Sequence, residues 1–323
     1  MDSKYKNLYT LGVDLGGTKI DTALVDFCGN IVCSHYRFIN PTRNPDIAIS
    51  EIIESVQICL KKTGKVASSL GLGVAGQIEN IKGIVRRSPN LPDWKDVPLK
   101  ARLEESLQIP VTINNDVRVI TWGEWKHGAA RGLNDFVCLF LGTGVGGGIV
   151  SKGQLLEGSQ NMAGELGHMT IVAAGRKCHC PNEGCLEAYV GGWAIAERAQ
   201  DAVRANPEAG KLMISLAGDI SNITAATISK AFKNNDALAS RIVKDTAKYL
   251  SAGLVSIVNI FNPCLIILGG GVIQGLPELI SLSEKRVRSY ALQPALDNLN
   301  IVNGILGNKA GVIGAAALAR TII

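Results

Sequence analysis

The 323-residue sequence offers no run of ~20 uninterrupted apolar residues. Its most apolar stretch, 250–272, is broken by Asn259, Asn262, Pro263 and four glycines, so no membrane span is expected. Met1 to Thr10 carries Asp2, Lys4 and Lys6 and has no apolar h-region, which argues against a signal peptide and for a cytoplasmic protein. There is no charged tail: the net charge of +5 is mild and dispersed, giving little support to a nucleic-acid partner. No linker or low-complexity tract separates one part of the chain from another. With 46% apolar and 19% charged residues, the composition is globular and not disordered.

Glycine is in excess: 36 residues, where ~7% of a chain is typical. With no collagen period and no Gly/Ser linker, these glycines belong in turns that demand backbone freedom. Of eight cysteines, Cys28, Cys33, Cys59, Cys138 and Cys264 are scattered, and three fall within eight residues of each other. That distribution reads as reduced thiols plus one metal cluster, not a disulfide framework.

The periodicity predicts a mixed α/β chain. A three-strand meander spans 8–39, with turns at Gly16-Gly17 and Cys28-Gly29-Asn30. A helix follows from Pro45 to a stop at Gly64. Then come a strand over 70–75, a helix over 99–107 and a strand over 110–114. At Phe136 the opening unit recurs: an apolar strand to Leu141, a glycine turn over 142–148, then Ile149-Val150. Helices are expected over 186–205, 225–234, 236–262, 277–290 and 309–322, with a buried strand over 264–268. Two α/β domains sharing a hinge fit this order: 1–119 plus 306–323, and 120–305.

Three glycine loops sit at strand ends. The first is Asp14-Leu15-Gly16-Gly17-Thr18-Lys19, where a glycine pair admits a polyanion close to the backbone and Asp14 can orient Mg²⁺ or its water. The alternative is a tight hairpin with a capping aspartate. The second runs Gly142-Thr143-Gly144-Val145-Gly146-Gly147-Gly148 and formally contains Gly-x-Gly-x-x-Gly. A dinucleotide site needs a helix after those glycines, and a hairpin follows instead. The third, Gly269-Gly270-Gly271, lies between a strand and a helix. No Gly-x4-Gly-Lys-Ser/Thr occurs, so a P-loop is unsupported.

Asn114-Asn115-Asp116 follows a short strand. Asp116 reads either as a helix N-cap or as a general base, with Asn115 fixing a polar ligand. The densest constellation is Glu165-Leu166-Gly167-His168, then Cys178-His179-Cys180 and Cys185-Leu186-Glu187. His168 with the three cysteines supplies a closed Cys3His tetrahedron for structural Zn²⁺; His179 competes as fourth ligand.

With these residues in hand, the chain resembles the ROK family (repressors, open reading frames and kinases), especially its bacterial-type glucokinases. The similarity runs nearly end to end. It rests on DLGGTK at 14–19, SPNLPDW at 88–94, Asn115-Asp116, the GTGVGGG loop, AGELGH at 163–168, CHCPNEGCLE at 178–187 and LGGG at 268–271. The resemblance implies two actin-like (hexokinase/RNase H-like) ATPase domains around a cleft, with ATP and Mg²⁺ held by Asp14, Gly16, Gly17, Thr18, Lys19, Gly142, Thr143, Gly144, Gly146, Gly269, Gly270 and Gly271. It implies Asp116 as the base and Ser88, Asn90, Asn115, Glu165, His168 and Glu187 as sugar contacts. His168, Cys178, Cys180 and Cys185 fall on the family's zinc ligands. The chain departs from the family pattern at Val117, Arg118 and Pro181. The activity implied is ATP-dependent hexose phosphorylation, chiefly of glucose, by a homodimer or homotetramer. N-acetylhexosamine kinase and fructokinase are the alternatives. A sugar-responsive repressor is disfavoured, because only seven residues precede Leu8.

Overall fold

The structure is a computed structural model and describes residues 8–323; Asp2, Lys4 and Lys6 lie outside the described residues. These residues fall into two α/β units. The first runs to Leu133 and takes up Glu157–Ala163 and Ile305–Ile323; the second comprises Asn134–Leu156 and Gly164–Gly304.

In the first unit β1 (Tyr9–Leu15), β2 (Lys19–Asp26) and β3 (Ile31–Phe38) form the expected antiparallel meander. Helix α1 (Pro45–Thr63) starts where the proline predicts: Asn44 Oδ1 accepts from the Asp46 and Ile47 amides, and Gly64 ends it at φ 62°. Next come β4 (Leu70–Val74), β5 (Gln77–Glu79), β6 (Ile84–Ser88), β7 (Leu91–Val97), α2 (Leu99–Leu107), β8 (Val111–Asn115) and α3 (Asp116–Lys126). The main sheet has the order β3-β2-β1-β4-β8, with β4 and β8 parallel to β1 and each other.

In the second unit β9 (Phe136–Leu141), β10 (Val145–Ser151) and β11 (Gln154–Leu155) lead to a helical section. That section contains α4 (Glu187–Val190), α5 (Gly192–Ala205), α6 (Lys211–Ala217), α7 (Ala225–Lys233) and α8 (Ala237–Phe261). Strand β12 (Leu265–Gly269), helices α9 (Gly271–Gly275) and α10 (Glu278–Tyr290) and strand β13 (Asn300–Asn303) complete it. Its sheet, β11-β10-β9-β12-β13, repeats the arrangement of the first: an antiparallel meander, then two parallel strands. The C-terminal helix α11 (Ala310–Ala319) belongs to the first unit.

The alternation along β4, Leu-Gly-Leu-Gly-Val, shows how the first unit is layered. Leu70, Leu72 and Val74 face the core that includes Ile49, Ile52 and Val56 of α1. The intervening glycines face the other way, since side chains in a strand alternate between faces. A Cβ at Gly71 would stand 1.9 Å from the carbonyl oxygen of Ala315, and one at Gly12 of β1 would stand 1.8 Å from that of Val312. Helix α11 therefore lies directly against sheet backbone. Thr10 Oγ1 donates to the Ala316 carbonyl (3.0 Å) and Ser69 Oγ to that of Ala319 (2.8 Å), so the last turns of this helix are bonded to the sheet.

Several expectations are corrected. The expected division at 119/120 falls inside α3; the first unit continues to Leu133 because α3 packs on α11. The glycine turn expected over 142–148 closes by Gly144, since Gly146, Gly147 and Gly148 pair within β10. The single helix expected over 186–205 is two, parted at Gly191. The small sheet β5-β6-β7, with register shifts at Gln77/Ile78 and Arg87/Ser88, has no clean alternation to announce it, and β13 and α6 are likewise additional.

Gly71→Ala should destabilise the first unit by roughly 1–3 kcal/mol or more, because a backbone carbonyl cannot yield as a side chain can. A fall in melting temperature of roughly 3–10 °C is expected from that range. An unchanged melting temperature would contradict the close approach of α11.

Candidate functional site

In the first unit, Asp14 is the penultimate residue of β1, beside the Gly16-Gly17 turn, where the Gly16 amide donates to the Lys19 carbonyl (2.9 Å). A Cβ at Gly17 would lie 2.8 Å from Asn90 Cβ, so Asn90, from the β6–β7 turn, roofs this loop. Thr18 is exposed at the loop's tip, and Lys19 opens β2. Ser88, at the end of β6, is buried, and its hydroxyl has no hydrogen-bond partner within the protein. The small sheet is pinned by Trp94, whose indole donates to the Arg43 carbonyl at 3.0 Å.

Asn115 ends β8, and Asp116 begins α3. Strand β4 separates β8 from β1, so Asp14 and Asn115 lie two strands apart, roughly 10 Å across the sheet. The N-cap role expected for Asp116 belongs to Asn115, whose Oδ1 accepts from the Val117 (3.0 Å) and Arg118 (3.4 Å) amides. The extended conformation of Asn115 (φ −58°, ψ 141°) is what brings its side chain back over the helix start. Asp116 occupies the first helical position, half-buried, with Oδ1 near the Val117 amide (2.9 Å).

The carboxyl of Asp14 is pushed up to about 6, first by burial and then by the negative charge of Asp116, with Lys19 opposing. It is packed so closely on α11 that a Cβ at Gly311 would fall 2.7 Å from its Oδ2. Neighbouring Asp21 is buried as well and takes an ion pair from Lys309 (2.8 Å). Asp14, Asp21 and Asp116 thus gather negative charge that Lys19 and Lys309 only partly offset, the kind of environment that hard cations relieve.

In the second unit the glycine loop after β9 is held by its own carbonyls. Gly142 O accepts from the Gly192 amide (2.9 Å) and Thr143 O from that of Trp193 (3.2 Å) at the start of α5. Gly192 must lack a side chain here, since its Cβ would meet Gly142 O at 2.7 Å. Glu187 begins α4 and turns back on the loop: Oε2 accepts from the Val145 amide (2.8 Å) and would lie 2.4 Å from a Cβ at Gly144. Its other oxygen takes the Trp193 indole at 3.4 Å. Gly146 lies in β10, beyond the turn. Gly269 leaves room for the Phe140 ring; Gly270, at φ 88°, packs on Leu141 O; Gly271 opens α9.

His168 and Cys178, Cys180 and Cys185 converge, with one ligand atom from each inside 4.8 Å of the others. His168 Nδ1 lies 3.7 Å from Cys178 Sγ, and Cys180 Sγ 3.6 Å from Cys185 Sγ. The loop is shaped for this: Gly184, at φ 78°, has no room for a side chain against Val172 O, and Cys185 bridges back to Thr170. His179 is excluded from the cluster, because its ring stacks on Trp193 with centroids 4.0 Å apart. Three sulfurs and one imidazole are the donor set of a closed tetrahedral zinc site. Glu165 is exposed just before the short turn that carries His168, and Glu187 Oε1 lies 4.0 Å from Cys178 Sγ. The Glu187–Val145 bond was missed in the sequence; the Gly191-Gly192 pair, which breaks an otherwise helical run, is the signal that could have pointed to a turn there.

Two five-stranded sheets of the same strand order, each with a glycine hairpin loop, define a protein of the actin-like ATPase fold, here bearing a Cys3His cluster in one unit. The chain belongs to the ROK family, whose model matches residues 10–322. A glucokinase of Streptomyces coelicolor is 33% identical over 316 residues, covering 96% of this chain and 97% of its own. One from Halalkalibacterium halodurans is 35% identical over 318 residues, with 96% and 94% covered. The crystal structure of a ROK family glucokinase from Streptomyces griseus in complex with glucose and AMPPNP superposes with a TM-score of 0.84 at 32% identity, over 97% of this chain and 99% of that one.

The raised Asp14 gives a signed pH dependence. A carboxyl whose folded pKa is raised destabilises the fold when ionised, so the penalty is absent below about 3.8 and complete above about 6. Asp14→Asn should therefore raise the melting temperature of the nucleotide-free protein at pH 7, by ~1–3 kcal/mol of stability, with the gain fading between pH 6 and 4. Thermal denaturation across that range checks it; a loss of stability at pH 7 would refute the assignment.

Proposed function

We propose that this chain is an ATP-dependent glucokinase, transferring the terminal phosphoryl group of ATP to the 6-hydroxyl of glucose. The observation that carries the reading is the end-to-end match, at 32–35% identity, to glucokinases, one of them with glucose and AMPPNP bound. Phosphoryl transfer asks a protein mainly for positioning and charge neutralisation, which backbone loops and fixed polar groups supply.

Asp116 is the general base in this reading. The Asn115 side chain caps α3, and the Asp116 carboxylate at the first helical position is the group that takes the sugar hydroxyl proton. Ser88, Asn90, Asn115, Glu165, His168 and Glu187 are the proposed sugar contacts; the buried, unpartnered Ser88 hydroxyl supports its share of that role. The Asn115 Oδ1 is already engaged by helix amides, so its contribution falls to its amide nitrogen, which also donates to the Gly76 carbonyl at 3.4 Å. The loops at Gly16 to Lys19, Gly142 to Gly146 and Gly269 to Gly271 are the proposed nucleotide contacts, with Asp14 oriented toward Mg²⁺ or its water. When bound with ATP, Mg²⁺ supplies charge neutralisation for the phosphates. Zinc, held by His168, Cys178, Cys180 and Cys185, is structural, since four protein ligands leave no open position. It keeps Glu187 and His168 in fixed orientations.

The setting we propose is the cytoplasm, where ATP and reduced thiols coexist; no helix among the described residues is long and apolar enough to cross a membrane. A homodimer or homotetramer is proposed. Tyr290 and Leu292 at the end of α10 and Ile260 near the end of α8 are exposed apolar side chains, of the kind an interface covers.

A coupled assay across glucose, mannose, fructose and the N-acetylhexosamines should rank glucose first by kcat/KM; another sugar ranked first would displace the reading. Asp116→Asn retains the Asn115 cap and should fold, bind glucose and keep zinc, yet lose turnover by about 10²–10⁴-fold. Turnover within a few-fold of wild type would sink the base assignment. Cys180→Ser should release zinc and raise the glucose KM together. Elemental analysis finding no metal in chelator-washed wild type would remove the zinc.

A further inference from the structure

Arg118 lies two residues beyond Asp116 and is only 4% exposed. A buried guanidinium is costly to place and is kept in orientation by its hydrogen bonds. Here Nη1 donates to Asn161 Oδ1 and Nη2 to the Ala163 carbonyl at 2.7 Å. Asn161 Nδ2 in turn donates to the Ile78 carbonyl of β5 at 3.1 Å. These two acceptors belong to the segment 157–163, which closes on itself through the Ala163 amide to Glu157 O (3.0 Å). Asn161 sits in the left-handed region at φ 57°, a conformation asparagine tolerates, and that turns its amide to meet both partners. The segment belongs to the first unit, although the chain on either side of it, at Leu156 and Gly164, belongs to the second. Two residues past Ala163 comes Glu165.

We propose that Arg118 is a positioning residue for sugar binding. With Asn161 it clamps the 157–163 strap, and so fixes where the chain delivers Glu165. The same residue's amide is bonded to Asn115 Oδ1, so the turn that presents Asp116 and the strap that leads to Glu165 share one anchor. Glucose affinity then depends on a guanidinium that touches no substrate. This rests on reading Glu165 as a sugar contact.

Asn161→Gly is the sharpest variant, because glycine keeps the left-handed backbone while removing both side-chain bonds. Arg118→Ala removes the clamp from the other side, and Arg118→Lys restores a single bond. Hydrogen exchange of peptides covering 157–163 should quicken in Asn161→Gly and Arg118→Ala. The glucose KM should rise roughly ten- to hundred-fold, as expected for lost hydrogen bonds to a charged group. The ATP KM should stay within about two-fold and kcat should change less than the glucose KM, with Arg118→Lys intermediate. Unchanged exchange, an unchanged glucose KM or a parallel rise in the ATP KM in Asn161→Gly overturns the clamp. Glu165→Gln separates premise from inference. If its glucose KM is unchanged while that of Asn161→Gly rises, the route through Glu165 is wrong; if only Glu165→Gln raises it, the strap is not what positions the residue.

Discussion

The approach of α11 to the sheet of the first unit, backbone against backbone, is the constraint on which the rest of that unit depends. It is possible only because Gly12 and Gly71 present no side chain beneath Val312 and Ala315. The same helix meets α3 equally closely: a Cβ at Gly314 would stand 2.0 Å from Val119 O, and one at Gly123 would stand 2.9 Å from Ala310 O. In β1 and β4 the large side chains, Leu11, Val13, Leu15, Leu70, Leu72 and Val74, belong to the core that includes α1. Such packing is intolerant of volume but sets spacing tightly. Both candidate acidic groups inherit that precision. Asp14 rests against Gly311 at the start of α11, and Asp116 opens the helix that α11 supports.

The second unit reaches fixed geometry by a different route. Its glycine loop has flexible backbone, and three independent bonds remove that flexibility: two from the amides at the start of α5 and one to Glu187. Glu187 is itself placed by the cysteine knot, two residues after Cys185 and 4.0 Å from Cys178 Sγ. A change at the Cys3His cluster is therefore transmitted to the glycine loop through one carboxylate. The stacked pair of His179 and Trp193 joins the same two elements, since the Trp193 amide bonds the loop while its ring carries the knot histidine.

Much of this was legible in the sequence where one physical rule dominates. Pro45 and Gly64 bracket α1 because proline and left-handed glycine have few other uses at those positions. The convergence of His168 with three cysteines follows from their spacing. The rest required tertiary structure. Most of the glycine excess looked like turn chemistry, yet Gly12, Gly71, Gly123 and Gly314 lie inside regular elements and serve close packing, which no local signal reports. Asp116 could be read as a cap or as a base, because an aspartate at a strand-to-helix junction is often a cap; the identity of the cap depends on which residue retains extended backbone, and that is Asn115. The sheet carrying Ser88 and Asn90 went unread because bulges interrupt its alternation.

The two units share a strand order, and they also share a way of finishing their hairpin loops. In each, a glycine leaves space that a polar side chain from a later segment of the same unit then occupies: Asn90 over Gly17, Glu187 over Gly144. The loops themselves cannot specify such a contact, since glycine contributes only the vacancy. Specificity comes from the later segment, and each is rigidly held, one by Trp94 under the small sheet and the other by the cysteine knot. A permissive backbone and a rigid polar roof together give a loop that can approach a phosphate closely while its own conformation stays fixed. Neither partner suffices alone: a roof without the glycine would clash, and a glycine without the roof would leave a loop free to sample many conformations.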